Sequence, residues 1–249
     1  MTTSEKKYIL KVLGLTKHFD GVYAVNDLSI AFEQGTITGI IGPNGSGKST
    51  LTNLLSGMFE FDKGTVLIEG EHLKKINSYD LPTYGLTRTF QEVRLFEQMT
   101  VTDNILVTLT SRHVFSALFE SHTQLHLNQA KEILEKVGLW EKRHQLAHNL
   151  SYGQRKLLEI ARVLAMDAKI ILLDEPFAGL FAEMIKVIVS VMQEMKQQGK
   201  TLVLIEHNME LIRQLCDYLY VLDEGKLLAQ GTPDKVLGER KVIEAYLGE

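Results

Sequence analysis

The chain has 249 residues, 45% of them hydrophobic and 23% charged, enough for a substantial core beneath a wetted surface, which excludes a disordered chain. A net charge of −4 provides no basic field for nucleic acid, and a single cysteine, Cys216, excludes intrachain disulfides and cysteine-rich metal sites, as suits a reducing compartment. No apolar run approaches the ~20 residues needed to span a bilayer, and the start at Thr2-Thr3-Ser4-Glu5 has no charged-then-apolar leader, so a transport role requires a partner to supply the membrane.

In chain order, Tyr8-Ile9-Leu10-Lys11-Val12 is the first strand signal, and Ile37 to Ile41 is an apolar run that predicts another. It leads into Gly42-Pro43-Asn44-Gly45-Ser46-Gly47-Lys48-Ser49-Thr50, which fits the P-loop pattern G-x-x-x-x-G-K-[ST]. Glycines let the chain wrap closely around phosphate, and successive backbone N–H groups point into a concavity. Lys48 then reaches the β- and γ-phosphates, while the Ser49 hydroxyl ligates Mg²⁺. A helical run follows, with Leu51, Leu54, Leu55 and Met58 at spacings of three and four, and its dipole adds to the pull on an anion.

Thr65-Val66-Leu67-Ile68 reads as a further strand, helical periodicity dominates from about 100 to 165, and strands return afterwards. Ile170-Ile171-Leu172-Leu173 predicts a strand buried on both faces that delivers Asp174 and Glu175 to the C-terminal edge of a sheet, where open α/β sheets bind ligands. A helix runs through Met184, Ile188, Val191, Met192 and Met195, whose methionines read as core packing, and the strand-like Thr201 to Glu206 ends at His207. Four prolines, no repeats and no linker indicate one domain with two lobes, about 1–91 with 157–249, and a helical insert of about 92–156. His122 with His126, and His144 with His148, stand four apart. Without an H-E-x-x-H glutamate or a third ligand they read as solvated helical residues rather than a zinc site.

The second half narrows the P-loop reading. Leu150-Ser151-Tyr152-Gly153-Gln154 opens a long amphipathic run before Asp174-Glu175-Pro176, and in this the chain resembles the ATP-binding cassette (ABC) family. The resemblance implies an α/β P-loop NTPase fold, a RecA-like nucleotide-binding domain with an antiparallel β part near the N-terminus and an inserted helical subdomain. It implies that ATP and Mg²⁺ are bound and ATP hydrolysed. It also implies that the signature Ser151, Tyr152, Gly153 and Gln154 meets the γ-phosphate held by another subunit's P-loop, with Ser151 capping a helix whose N–H groups form an anion site. By the same resemblance Asp174 holds Mg²⁺ through water, Glu175 is the general base, Gln91 contacts Mg²⁺ or water, and His207 hydrogen-bonds the γ-phosphate. Phe19, in Lys17-His18-Phe19-Asp20-Gly21, matches the aromatic that stacks on adenine, with Tyr23 as the fallback.

Gly85 to Phe96, with its Arg88-Thr89-Phe90-Gln91 and Val93-Arg94-Leu95-Phe96 wording, is similar to the larger ATPase subunit of branched-chain amino-acid importers. So are the aromatic Tyr152, the Ile205-Glu206-His207 switch and the Ala245-Tyr246-Leu247-Gly248-Glu249 tail. The implied partners are membrane permease subunits docking near Glu92 to Met99, a second cassette, and indirectly a substrate-binding protein, with the chain peripheral on the cytoplasmic face. Related amide and urea importers share these features. A lipopolysaccharide-type exporter and a soluble cluster-assembly ATPase are the alternatives. One departure stands out: Phe181-Ala182 follows Ala178-Gly179-Leu180 where the family has Asn or Asp and then Pro, which removes a helix cap.

Overall fold

Two β-sheets organise the protein, whose structure, a computed structural model, describes residues 7–90, 92–109 and 124–247. Strands β1 (Tyr8–Phe19) and β2 (Val22–Glu33) form a hairpin closed by Asp20-Gly21, both with positive φ, the turn geometry that Asp-Gly adopts without splaying the strands. With β4 (Lys63–Ile68) and β5 (Glu71–Leu73) they make an antiparallel sheet in the order β2-β1-β4-β5.

The second sheet contains β3 (Ile37–Ile41), β6 (Leu86–Arg88), β7 (Ile170–Asp174), β8 (Thr201–Ile205), β9 (Tyr218–Asp223) and β10 (Lys226–Gly231), in the order β10-β9-β3-β8-β7-β6. Only the β9-β10 pair is antiparallel. Every residue of β3, β7 and β8 is buried, which is why these strands read as unbroken apolar runs rather than alternating ones. Because β3, β8, β7 and β6 are adjacent and parallel, Ile40, Ile205 and Asp174 stand level and the chain leaves all four strands at one edge.

The chain divides into two compact units: residues 1–88, 169–175 and 193–249, and residues 89–168 and 176–192. The first holds both sheets and a core that includes Leu10, Phe32, Ile40, Leu54, Leu172 and Val203. Helix α1 (Lys48–Leu55) belongs to it and ends three residues earlier than the Met58 periodicity predicts. Gly57, at φ 65, donates to Leu54 O while Met58 N–H donates to Asn53 O, a Schellman closure that leaves Met58 exposed.

The second unit packs α2 (Val101–Leu109), α3 (Gln124–Lys136) and α4 (Tyr152–Ala165) on one another, burying Ile105, Leu134, Leu158 and Ala161. The unit boundary falls inside α5 (Ala182–Gln197), in which Met192 and Met195 are buried. The remaining helices are α6 (Met209–Leu215), α7 (Pro233–Leu237) and α8 (Arg240–Leu247). The expected helical pair at His144 and His148 is corrected. His144 lies in a turn, and His148 sits in the short 3₁₀ segment Ala147–Asn149 with Nδ1 3.1 Å from Glu97 O. His122 lies outside the described residues. No helix of the described residues is long and apolar enough to cross a membrane.

Candidate nucleotide site

The P-loop turns from β3 into α1 through glycines that are sterically required. A Cβ on Gly42 would stand 2.1 Å from Leu222 O, and one on Gly47 2.2 Å from Ala24 O, where Gly47 also holds φ 100. Gly45, by contrast, has open space where a side chain would project. Gly47 occupies the N-cap of α1 and so supplies no side-chain acceptor, and the first turn carries no acidic residue. The first N–H groups of α1 are left to an anion, the arrangement a phosphate completes. Pro43, Asn44, Ser46, Ser49 and Thr50 lie in the same loop and first turn, with Ser46 buried.

Lys48 Nζ donates to Gly42 O at 2.8 Å and Pro43 O at 2.9 Å and lies 3.4 Å from Ser46 Oγ, so the ammonium spans the loop. Burial lowers its pKa, while the nearby Glu175 and Asp174 carboxylates pull the other way. Asp174 ends β7, and its Oδ2 accepts from Arg88 Nη2 at 2.8 Å. Glu175 follows at φ 46, a strained backbone for a residue with a Cβ, with its N–H donating to Ile205 O at 3.0 Å. The strain falls where the chain must leave the strand track and send the second carboxylate in a new direction. Hard oxygens from the Ser49 hydroxyl and the Asp174 carboxylate, supplemented by phosphate and water oxygens, are a donor set that suits Mg²⁺.

His207 lies just past β8, which runs directly between β3, the strand that leads into the P-loop, and β7, the strand that ends at Asp174. Its side chain is 70% exposed. Glu206, buried beside it, accepts from the backbone N–H of His207 at 3.1 Å and of Asn208 at 3.3 Å. Asn208 in turn caps α6 through Glu210 N–H and Leu211 N–H. Glu206 therefore fixes the backbone that presents His207, a role that its place in Ile205-Glu206-His207 does not reveal in one dimension.

Phe19 is the last residue of β1 rather than part of a free loop, and it is 41% exposed, so it is no core residue. Its ring meets Phe59 edge-on at 5.5 Å, and Lys17 Nζ stands 5.3 Å from its centroid. Tyr23 packs edge-on to His18. A neighbour that sequence reasoning missed comes from the C-terminal helix: partial desolvation of Tyr246, still 37% exposed, pushes its phenol up to about 12, opposed by the Gly42 backbone beside it.

The signature residues lie in the other unit. Ser151 caps α4 in a reciprocal capping box, its side chain accepting from Gln154 N–H and the Gln154 side chain accepting from Ser151 N–H at 3.1 Å. Tyr152 is exposed. Gly153 admits Met184, whose Sδ would lie 2.3 Å from any added Cβ. Gln91 lies outside the described residues, but its neighbour Phe90 is gripped at both ends. Phe90 N–H donates to Glu159 Oε1 at 3.1 Å, and Lys156 Nζ donates to Phe90 O at 3.2 Å. Burial raises the Glu159 pKa against the opposing pull of those partners. Nothing in the apolar periodicity of α4 distinguishes Lys156 and Glu159 from solvent-facing charges.

The sheet edge, the uncapped P-loop helix and the paired acids define a P-loop ATPase. The ABC transporter family model matches residues 25–178, more than half of the chain, and the chain belongs to that family as an ATP-binding subunit. A second model, described as branched-chain amino acid ATP-binding cassette transporter, matches residues 226–249. The chain is 38% identical to the high-affinity branched-chain amino acid transport ATP-binding protein LivG of Escherichia coli K12, covering 97% of this chain and 98% of that one. It is 36% identical to the corresponding BraF protein of Pseudomonas aeruginosa, with the same coverage. Among solved structures, it resembles a nucleotide-free ATP-binding cassette from an ABC transporter with TM-score 0.85 and 34% identity, over 98% of this chain and 100% of that one. An ADP-bound conformation of such a cassette gives the same values.

Proposed function

We propose that this chain hydrolyses Mg·ATP to drive import of branched-chain amino acids or related amides through separate permease subunits. The carrying observation is that β3, which leads into the P-loop, and β7, which delivers Asp174 and Glu175, end level at one sheet edge, beside a helix N-terminus that lacks any side-chain cap of its own. In this reading the P-loop N–H groups and Lys48 bind the β- and γ-phosphates. Ser49 holds Mg²⁺ directly and Asp174 through water, with Gln91 contributing. Glu175 accepts the proton of the attacking water, and His207 hydrogen-bonds the γ-phosphate. Mg²⁺ supplies neutralisation of developing phosphate charge. Phe19 offers adenine an exposed aromatic face.

The signature residues Ser151 to Gln154 serve a partner cassette, so two cassettes close on nucleotide and separate after hydrolysis, moving the permease. The second family match at residues 226–249 and the relatives named for branched-chain amino acid transport support the substrate class. By the same resemblance the working complex sits on the cytoplasmic face of the membrane, with a binding protein across it.

Two measurements test this reading. Lys48→Ala should abolish nucleotide binding or turnover, and Glu175→Gln should retain ATP while losing hydrolysis. Near-normal turnover in Glu175→Gln overturns the base assignment. Mild-detergent extraction of tagged chain from its native membrane should then co-purify two permeases and a sister cassette in stoichiometric amounts; purely soluble partners would sink the transport reading.

A further inference from the structure

Arg88 closes β6 at the edge that carries the nucleotide site, and it is almost wholly enclosed. The Arg88 side chain is 6% exposed and that of Asp174, its ion-pair partner, 5%. Nη2 donates to Asp174 Oδ2 at 2.8 Å, while Nη1 donates to Asn53 Oδ1 at 2.7 Å and to Ser56 Oγ at 2.8 Å. Ser56 is itself locked, donating to Thr52 O at 2.7 Å. One rigid guanidinium fork thus joins β7 to the C-terminal end of the helix whose first turn carries Lys48 and Ser49.

A buried ion pair is weak evidence for stability, because desolvation offsets most of the attraction and an apolar residue of similar volume often serves as well. The planar fork is better explained by geometry, since it holds three acceptors on two separate elements at once.

We propose that Arg88 is a positioning residue for the cation that accompanies the nucleotide: it fixes the Asp174 carboxylate against α1 and hence sets its distance from Ser49. This rests on the reading of Ser49 and Asp174 as the cation-holding pair. Groups that orient metal ligands typically change metal affinity by about 10–100-fold when removed. Loss of Arg88 should therefore weaken the part of nucleotide binding that depends on the cation and spare the part that depends on the P-loop.

The experiment measures dissociation constants for a fluorescent, slowly hydrolysed ATP analogue, with EDTA and with saturating Mg²⁺, for the wild type, Arg88→Lys and Asn53→Ala. Lysine keeps the charge but cannot span both elements, and Asn53→Ala keeps the ion pair while removing one of its two ties to the α1 end, that through Ser56 remaining. The wild type should tighten about tenfold or more on adding Mg²⁺. Arg88→Lys should lose at least about fivefold of that tightening, with its EDTA value within about threefold of wild type. Asn53→Ala should lose about threefold, and it decides the matter if Arg88→Lys does not fold. Full tightening in a folded Arg88→Lys, or in Asn53→Ala, overturns the proposal. So does equal weakening with and without Mg²⁺, which marks a merely structural role. A wild type that ignores Mg²⁺ instead overturns the cation reading of Ser49 and Asp174 on which this inference stands.

Discussion

At the scale of single residues, the glycines of the P-loop separate two physical demands that the motif writes identically. Gly45 and Gly47 both hold positive φ, at 81 and 100, but only Gly47 faces backbone, with Ala24 O 2.2 Å from a notional Cβ. Gly45→Ala should cost about 1–2 kcal/mol in the nucleotide-free protein, the left-handed penalty alone. Gly47→Ala adds a collision that no side-chain rotation relieves, and should cost at least about 1 kcal/mol more. Denaturant melts of the two variants check the difference. Equal costs would mean that the Ala24 strand yields, and that close approach is not what demands glycine at 47. The motif made both positions legible as glycine, whereas the steric reason at Gly47 lies in Ala24, on a strand more than twenty residues away. The same holds for Arg88, whose partners Asn53 and Asp174 are distant in sequence, and for Glu206, which reads as one more acid until its acceptor role is seen.

At the scale of elements, helix α5 begins without a side-chain cap of the usual kind. The Phe181 carbonyl accepts from Met184 N–H at 3.0 Å and Ile185 N–H at 3.1 Å, so Phe181 stands at the cap position with its residue 80% exposed. Phe181→Asn should stabilise the protein by about 1 kcal/mol, because it adds a cap and removes no buried contact. For a chain of this size that corresponds to a melting temperature about 2–4 °C higher. Turnover should change by less than tenfold, because the substitution leaves the P-loop residues, Asp174 and Glu175 unaltered. A lower melting temperature would show that the phenyl ring makes contacts that matter, and that the departure from Asn is stabilising in this chain. Elements were the most legible level of the fold. Ile37 to Ile41, Ile170 to Leu173 and Thr201 to Ile205 declared themselves because a strand with both faces covered needs apolar residues throughout. Element ends were less so. The Schellman closure at Gly57 depends on two specific backbone hydrogen bonds, and the His144 region has helical spacing without a helix.

At the scale of the whole molecule, nucleotide binding and global stability are coupled through the unit that holds the P-loop, and Cys216 offers a way to read that coupling. The thiol lies in this unit just past α6, buried, with Gly39 so close that a Cβ there would stand 3.0 Å from Sγ. Burial pushes its pKa up to about 12, with Asp217 adding to the effect. The buried sulfur is out of a reagent's reach in the folded protein, so a disulfide reagent modifies Cys216 almost entirely through opened molecules, where the pKa returns to about 8.5. A ligand held by the folded form alone at 100 times its Kd stabilises that form by about 2.7 kcal/mol and should slow labelling about a hundredfold. Adding Mg·ATP to Glu175→Gln, in which the nucleotide persists, should produce that slowing, and Lys48→Ala should not show it. Slowing that follows ligand concentration logarithmically in energy would mean that Cys216 emerges only when the sheet carrying the P-loop comes apart. Labelling indifferent to nucleotide, in a variant shown separately to bind it, would mean that α6 lifts away by itself while the nucleotide site stays intact. In that case His207, only two residues before α6, would sit at the edge of an opening segment, and the hydrogen bond to the γ-phosphate proposed for it would depend on that segment being closed.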